Sequence, residues 1–241
     1  MDQIFTLNEA LLRRRRAGLT SYCLFIDFRK AFDTVWHDGL WRQLWQKDVR
    51  GKAWRILKAL YSNLECSVLV DGERSRFSKI FQGVRQGCPL SPILFSCYIN
   101  GLVKLLKGIS GVTIGVRELC SLLYADDIVL MADSPEALQK MIDIVETYTS
   151  RWRLSLNTNK TKVMIVRPSR NAMVARGEHW SFRNQSLEVV REYKYLGVWF
   201  TDNLLWDRHI KHIREKAGRK LVPLRCLFAQ RQLPLLIKRQ V

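Results

Sequence analysis

Acidic residues are scarce in this chain of 241 residues: 22 Asp and Glu face 40 Lys and Arg, for a formal net charge of +18 at pH 7. A surplus of that size repels itself unless an anionic partner neutralises it. Nucleic acid is the leading partner, because each neutralised phosphate releases a counterion and adds affinity. An anionic membrane surface ranks lower, since no long basic amphipathic helix with an aromatic face dominates the chain. The six cysteines (Cys23, Cys66, Cys88, Cys97, Cys120 and Cys226) are scattered, with no CxxC pair. That spacing excludes a disulfide framework and a zinc knuckle, and predicts reduced, intracellular thiols. Only four histidines are present. His209 and His212 share a helical face, but no nearby cysteine completes a zinc set, so they read as surface residues. Long apolar runs are missing too. The most apolar stretch, Pro92 to Leu106, is broken by Asn100, Gly101 and Lys104 and is too short to span a bilayer. No signal peptide opens the chain, and no repeat or low-complexity segment exists beyond Arg13 to Arg16.

What is present is enough for a core. Hydrophobic residues make up 47% of the chain, and its length of 241 residues fits one large domain or one domain with partial neighbours. Residues 2–17 predict a helix that ends in four arginines, with Gly18 as its stop. Residues 20–28, TSYCLFIDF, predict a strand buried on both faces with Asp27 in its middle. Helices follow at 36–47 and 51–63. Strands at 65–70 and 76–82 flank Asp71-Gly72, a hairpin signal. Ser91-Pro92 reads as N-cap and first position of a helix running to Leu106. Strands at 119–123 and 128–132 surround Tyr124-Ala125-Asp126-Asp127. Ser134-Pro135 opens a helix with an apolar face of Leu138, Met141, Ile142, Val145 and Tyr148. Lys162 to Val166 is a strand, two short strands lie near 180–190, a hairpin spans Tyr193 to Phe200, and a basic helix starts at Asp207. This order predicts an α+β fold: a split βαβ, ferredoxin-like antiparallel sheet with helices packed on one face.

Three carboxylates carry chemical interest. A carboxylate inside an apolar strand, as Asp27 is, costs free energy unless it is paired or binds metal; a salt bridge to Arg29 or Lys30 is the plain alternative. Asp126 and Asp127 adjoin between two apolar strands. They are either a polar turn or a like-charged pair that a cation would relieve. Neighbouring strand residues point to opposite faces, so one of the two faces Asp27 and the turn places the other. Three such carboxylates would make an all-oxygen site suited to Mg²⁺ and to two-metal phosphoryl transfer. Composition alone does not choose a polymerase over a nuclease.

FIDFRKAFDTV, GVRQGCPLSPILFSCYIN, YADD, LNTNKTKV and EYKYLGVWF occur in the order of reverse-transcriptase motifs A to E. The chain resembles the reverse transcriptase of LINE-type (non-LTR) retrotransposons over roughly residues 1 to 220. The resemblance implies a polymerase palm with partial fingers over 1–203 and the start of a helical thumb over 204–241. It implies RNA-directed DNA polymerase activity, by two-metal transfer of a nucleotide to a primer 3′-hydroxyl, with two Mg²⁺ ions or Mn²⁺ in their place. Asp27 and Asp126 would be metal ligands, and Asp127 would complete the triad less directly. Phe32 would be the steric gate that rejects a 2′-hydroxyl, with core packing as its plain alternative. Amides near Lys30 and Ala31 would cradle the triphosphate, as consecutive N–H groups do in anion nests. Gln86 would approach the incoming nucleotide, and Gly87 would let the backbone come close. Lys160 would be the general acid for pyrophosphate, or else a solvated loop lysine. The hairpin at 193–200 resembles the primer grip, with core packing weighed equally.

The partners implied are an RNA template, a DNA primer or RNA–DNA hybrid and dNTP, with no membrane, in the nucleus or cytoplasm. Upstream fingers, most of the thumb, an endonuclease and a Cys/His-rich tail are missing, so the expectation is a fragment or a truncated copy. The competing readings are a palm that grips RNA or hybrid without turnover, and an intron-maturase-like protein. No visible intron-binding domain counts against the last.

Overall fold

The computed structural model describes residues 2–169 and 178–229. The side chain of Cys226, and residues 230–241 of the expected thumb, lie outside it. Helix α1 (Asp2–Arg16) leads into β1 (Ser21–Ile26), every residue of which is buried. Helices α2 (His37–Gln46), α3 (Gly51–Leu60), α4 (Ser91–Leu105) and α5 (Pro135–Arg151) follow. A hairpin of β2 (Ser121–Tyr124) and β3 (Asp127–Ala132) separates α4 from α5. Strands β4 (Lys162–Val166), β5 (Glu188–Val190), β6 (Glu192–Tyr195) and β7 (Val198–Thr201) precede α6 (Asp207–Ala229).

The main sheet runs β5-β4-β1-β3-β2. β1 sits between β3 and β4 and is antiparallel to both. With α4 between β1 and β2, and α5 between β3 and β4, this is the ferredoxin-like order that the sequence predicts. Its faces alternate as strand geometry requires. Tyr22, Leu24, Ile26, Ile128 and Leu130 pack with Leu94, Tyr98, Leu138 and Ile142 of α4 and α5. Cys23, Phe25, Val129 and Met131 pack with Leu7 and Leu11 of α1 and with Tyr195 and Phe200 of the β6–β7 hairpin. The expectation of helices on one face is therefore corrected: α1 and the hairpin cover the other. Burial on both faces is why β1, β3 and β4 read as continuous apolar runs and not as alternating ones.

Local chemistry accounts for most boundaries. Ser134 caps α5 by accepting from Ala137 N at 3.3 Å. All five residues of the apolar face expected for α5 are buried. Asp71 and Gly72 take φ of +50° and +86° and close a tight hairpin. The expected pair of strands around them is broken, however, into Leu69–Val70 with Glu73–Arg74 and Glu65–Cys66 with Ser78–Lys79. A second correction concerns α4. Its N-cap is Leu90, with Ser91 inside the first turn. The Ser91 hydroxyl donates to Arg85 O at 2.5 Å and ties the helix to the preceding loop. The five described cysteines are free thiols. No described helix is long and apolar enough to cross a membrane.

Candidate active site

Strand β1 ends at Ile26, so Asp27 is the first residue beyond the strand and is half-buried. This corrects the mid-strand placement. The β1–β3 register runs from Tyr22–Ala132 to Ile26–Ile128. One further step sets Asp27 opposite Asp127. Both fall on the side of the sheet that carries Phe25 and Val129, facing α1 and the β6–β7 hairpin. Asp126 stands one residue back, in the two-residue turn between Tyr124 and Asp127. The facing position therefore goes to Asp127.

The electrostatics agree with this geometry. The Asp127 carboxyl is raised above its ordinary value, first by burial and then by the charges of Asp126 and Asp27. Tyr193 stacks on Phe25 with ring centroids 4.2 Å apart. Burial, then Asp27 and Asp127, push its hydroxyl up to about 12. Tyr195 is raised by burial and by Asp127. Within the hairpin Tyr195 and Phe200 are core, as the packing alternative expects, and Tyr193 borders the carboxylates.

None of the three aspartates forms an ion pair with a described residue. The alternative pairing of Asp27 with Arg29 or Lys30 is thus not found. An unneutralised, all-oxygen set suits a hard divalent cation. Among the described residues, no three His, Cys, Asp or Glu side chains already converge to hold one.

The loop after Asp27 turns on Lys30, whose φ is +47°. The Lys30 carbonyl accepts from Asp33 N at 2.9 Å and Thr34 N at 3.0 Å. The N–H groups of Lys30, Ala31 and Phe32 donate to no described residue, which leaves consecutive donors for an anion. Lys30 is exposed and Ala31 is buried. Phe32 packs on Phe95 with centroids 4.9 Å apart. Its ring also lines a cleft of about 730 Å³ with Pro92, Ile93, Tyr124 and Ala125. The gate candidate and the YADD turn therefore share one cleft.

Residues 82–86 lie along this loop. Gly83 N donates to Val35 O at 2.8 Å and Val84 N to Phe32 O at 2.7 Å. A Cβ on Gly83 would sit 2.7 Å from Asp33 O, so only glycine admits this approach. Gln86 Nε2 donates to Asp33 Oδ1 at 2.8 Å. Gly87 has φ +82° and opens the turn into α4. Lys160 is exposed in a turn whose Asn157 N donates to Asp27 O at 2.8 Å. Sequence reasoning missed Asp33, Asn157 and Thr161. The Asn-Thr-Asn run preceding Lys160 signals a turn, but nothing in the sequence shows that the turn lands on Asp27.

Fold and site together define a palm-type polymerase domain. The reverse transcriptase (RNA-dependent DNA polymerase) family profile matches residues 3–200, and the chain belongs to that family. Its domain is of the non-LTR retrotransposon kind. It is 28% identical over 200 residues to a Pol polyprotein of the type-1 retrotransposable element R2 of Nasonia vitripennis, covering 80% of this chain and 20% of that one. It is 28% identical over 230 residues to an RNA-directed DNA polymerase from the mobile element jockey of Drosophila funebris, covering 92% and 24%. It is 30% identical over 203 residues to an uncharacterized 149 kDa protein of transposon TX1 of Xenopus laevis, covering 83% and 15%. The chain thus spans a quarter or less of these relatives. The fold is similar to that of telomerase from Candida tropicalis, solved with a fragment of telomeric RNA. The TM-score is 0.59 at 16% identity, covering 86% of this chain and 32% of that one. Divalent-metal dependence is general in the family.

Proposed function

We propose that this chain is the catalytic palm of an RNA-directed DNA polymerase that extends a primer 3′-hydroxyl with deoxynucleotides on an RNA template. The observation that carries this reading is that Asp27 and Asp127 fall opposite each other one step beyond the β1–β3 ladder, with Asp126 at the turn and no ion pair from any of the three to a described residue. Asp27, Asp126 and Asp127 would hold two Mg²⁺ ions, or Mn²⁺ in their place. Bound there, the ions would activate the attacking hydroxyl and stabilise the leaving oxygen. The amides of Lys30, Ala31 and Phe32 receive the triphosphate. The Phe32 ring rejects a 2′-hydroxyl by shape, and Gln86 and Gly87 border the nucleotide. Lys160 supplies the proton to pyrophosphate. The cationic surplus holds an RNA–DNA hybrid by phosphate neutralisation. In this reading residues 1–203 are palm with partial fingers, and 204–241 begin a thumb of which α6 is the described part.

One observation favours a second reading, a palm that grips hybrid without turnover: the three carboxylates do not converge on a single point. Primer extension on an RNA template with dNTP and Mg²⁺ separates the two. The polymerase reading expects extension by the unsubstituted chain, and its loss in Asp126→Ala with hybrid affinity retained. A folded chain that binds hybrid and never extends the primer refutes it.

A further inference from the structure

We infer that Thr161 is a positioning residue for Asp27: its hydroxyl replaces a missing strand partner, and this lets the turn bearing Lys160 leave the sheet beside the catalytic carboxylates. The inference rests on the polymerase reading for its kinetic consequence, but its structural part stands alone.

The β1–β4 ladder pairs Ser21 with Val166 and, at its far end, Phe25 with Lys162. Continued, it would pair Asp27 with Lys160, and Phe28 with Asn159. Phe28 instead bridges Leu156. The chain therefore inserts a bulge opposite Asp27, and the bulge is a tight turn. Lys160 N donates to Asn157 O at 3.0 Å, and Thr161 N to the same oxygen at 2.8 Å. Bulges beside active sites redirect a side chain at the cost of ladder bonds.

Here the lost bonds are on Asp27 itself. In an unbroken antiparallel ladder, Asp27 would exchange N–H and C=O bonds with Lys160. With Lys160 lifted away, Asn157 N donates to the Asp27 carbonyl at 2.8 Å, and Asp27 N donates to Thr161 Oγ1 at 3.2 Å. Thr161 is fully buried, at 0% exposure. That burial screens the Oγ1 from bulk water, and an amide orphaned there would have to be satisfied by movement of the chain. The bond that moves is the one beside the Asp27 carboxylate, at the position opposite Asp127. Lys160, freed from the ladder, is exposed at the same corner. One hydroxyl therefore fixes the carboxylate and permits the adjacent cation.

The test is Thr161→Val, which keeps shape and removes the hydroxyl, set against Thr161→Ser, which keeps the hydroxyl. Hydrogen exchange of the peptide containing Asp27 is read by mass spectrometry without nucleotide or metal. The Asp27 amide should exchange about tenfold faster in the valine variant, with β3 unchanged and the serine variant near the unsubstituted chain. In single-turnover extension, the valine variant should lose about tenfold or more in rate with little change in the KM for dNTP, and serine should rescue it. If Thr161→Val loses more than about 10 °C in thermal midpoint, the pair Thr161→Ser and Thr161→Ala takes its place. Unchanged exchange at Asp27 in the hydroxyl-free variant overturns the inference, as does equal impairment of the serine variant. Absence of extension by the unsubstituted chain refutes the polymerase reading and leaves the exchange result to decide on Thr161.

Discussion

Asp27 and Asp127 occupy facing positions one step beyond the last ladder pair, Ile26–Ile128, on the face of the sheet shared with Tyr193. Burial first, and then the charges of Asp126 and Asp27, hold the Asp127 carboxyl above its ordinary range. A group whose proton affinity rises on folding stabilises the fold below its unfolded value, near 3.8. That stability is lost as pH climbs through the folded value. At neutral pH the ionised Asp127 is thus a net cost to the metal-free fold.

Asp127→Asn should therefore melt a few degrees higher than the unsubstituted chain at pH 7 without divalent ions. The gap should close as the pH falls below 3.8, where Asp127 is protonated in both the folded and the unfolded chain. Added Mg²⁺ should raise the melting temperature of the unsubstituted chain and leave the variant nearly unmoved. Thermal melts across pH, with and without Mg²⁺, decide it. A variant that is less stable at pH 7 contradicts the account.

Ala125 holds a φ of +52° in the turn that carries Asp126. That conformation costs a residue with a Cβ about 1–2 kcal/mol. Glycine escapes the cost and gives back part of it as unfolded-chain entropy. Ala125→Gly should stabilise the fold by up to about 1 kcal/mol in urea titration. A lower midpoint would show that the turn is not strained.

Gly83 combines a φ of +92° with a backbone contact that no Cβ fits, 2.7 Å from Asp33 O. Gly83→Ala should cost about 2–5 kcal/mol of strain and overpacking together. It should also loosen the Gln86–Asp33 bond, because the clash is with Asp33 itself. Chemical denaturation gives the first effect and amide exchange over residues 30–36 the second.

Phe32 packs on Phe95 and lines the cleft beneath the YADD turn. Phe32→Val should cost about 1–3 kcal/mol, less than a fully buried phenylalanine because the ring is only half-buried. If the ring is the gate, the variant should also incorporate ribonucleotides. Unchanged discrimination between rNTP and dNTP, with the stability loss present, would leave Phe32 a packing residue.

The sequence by itself determined the elements and their order. A continuous apolar run marked β1 as a strand buried on both faces, β3 and β4 read as strands, helical spacing marked α5, and Asp71-Gly72 marked a hairpin. Each of these signals is local, because it depends on burial of a face or on the φ of single residues. The candidate residues too were legible, through five ordered motifs. What only the tertiary structure decided was which groups meet. Register gave Asp127, not Asp126, the place opposite Asp27, since a shift of one residue exchanges every side chain between faces. A bulge put Thr161 and Asn157 on the Asp27 backbone across more than 100 positions of chain. α1 closed the second face of the sheet, although it precedes every strand that it covers. Pairings of this kind are set by the packing of distant segments against one another, and no stretch of sequence contains both partners.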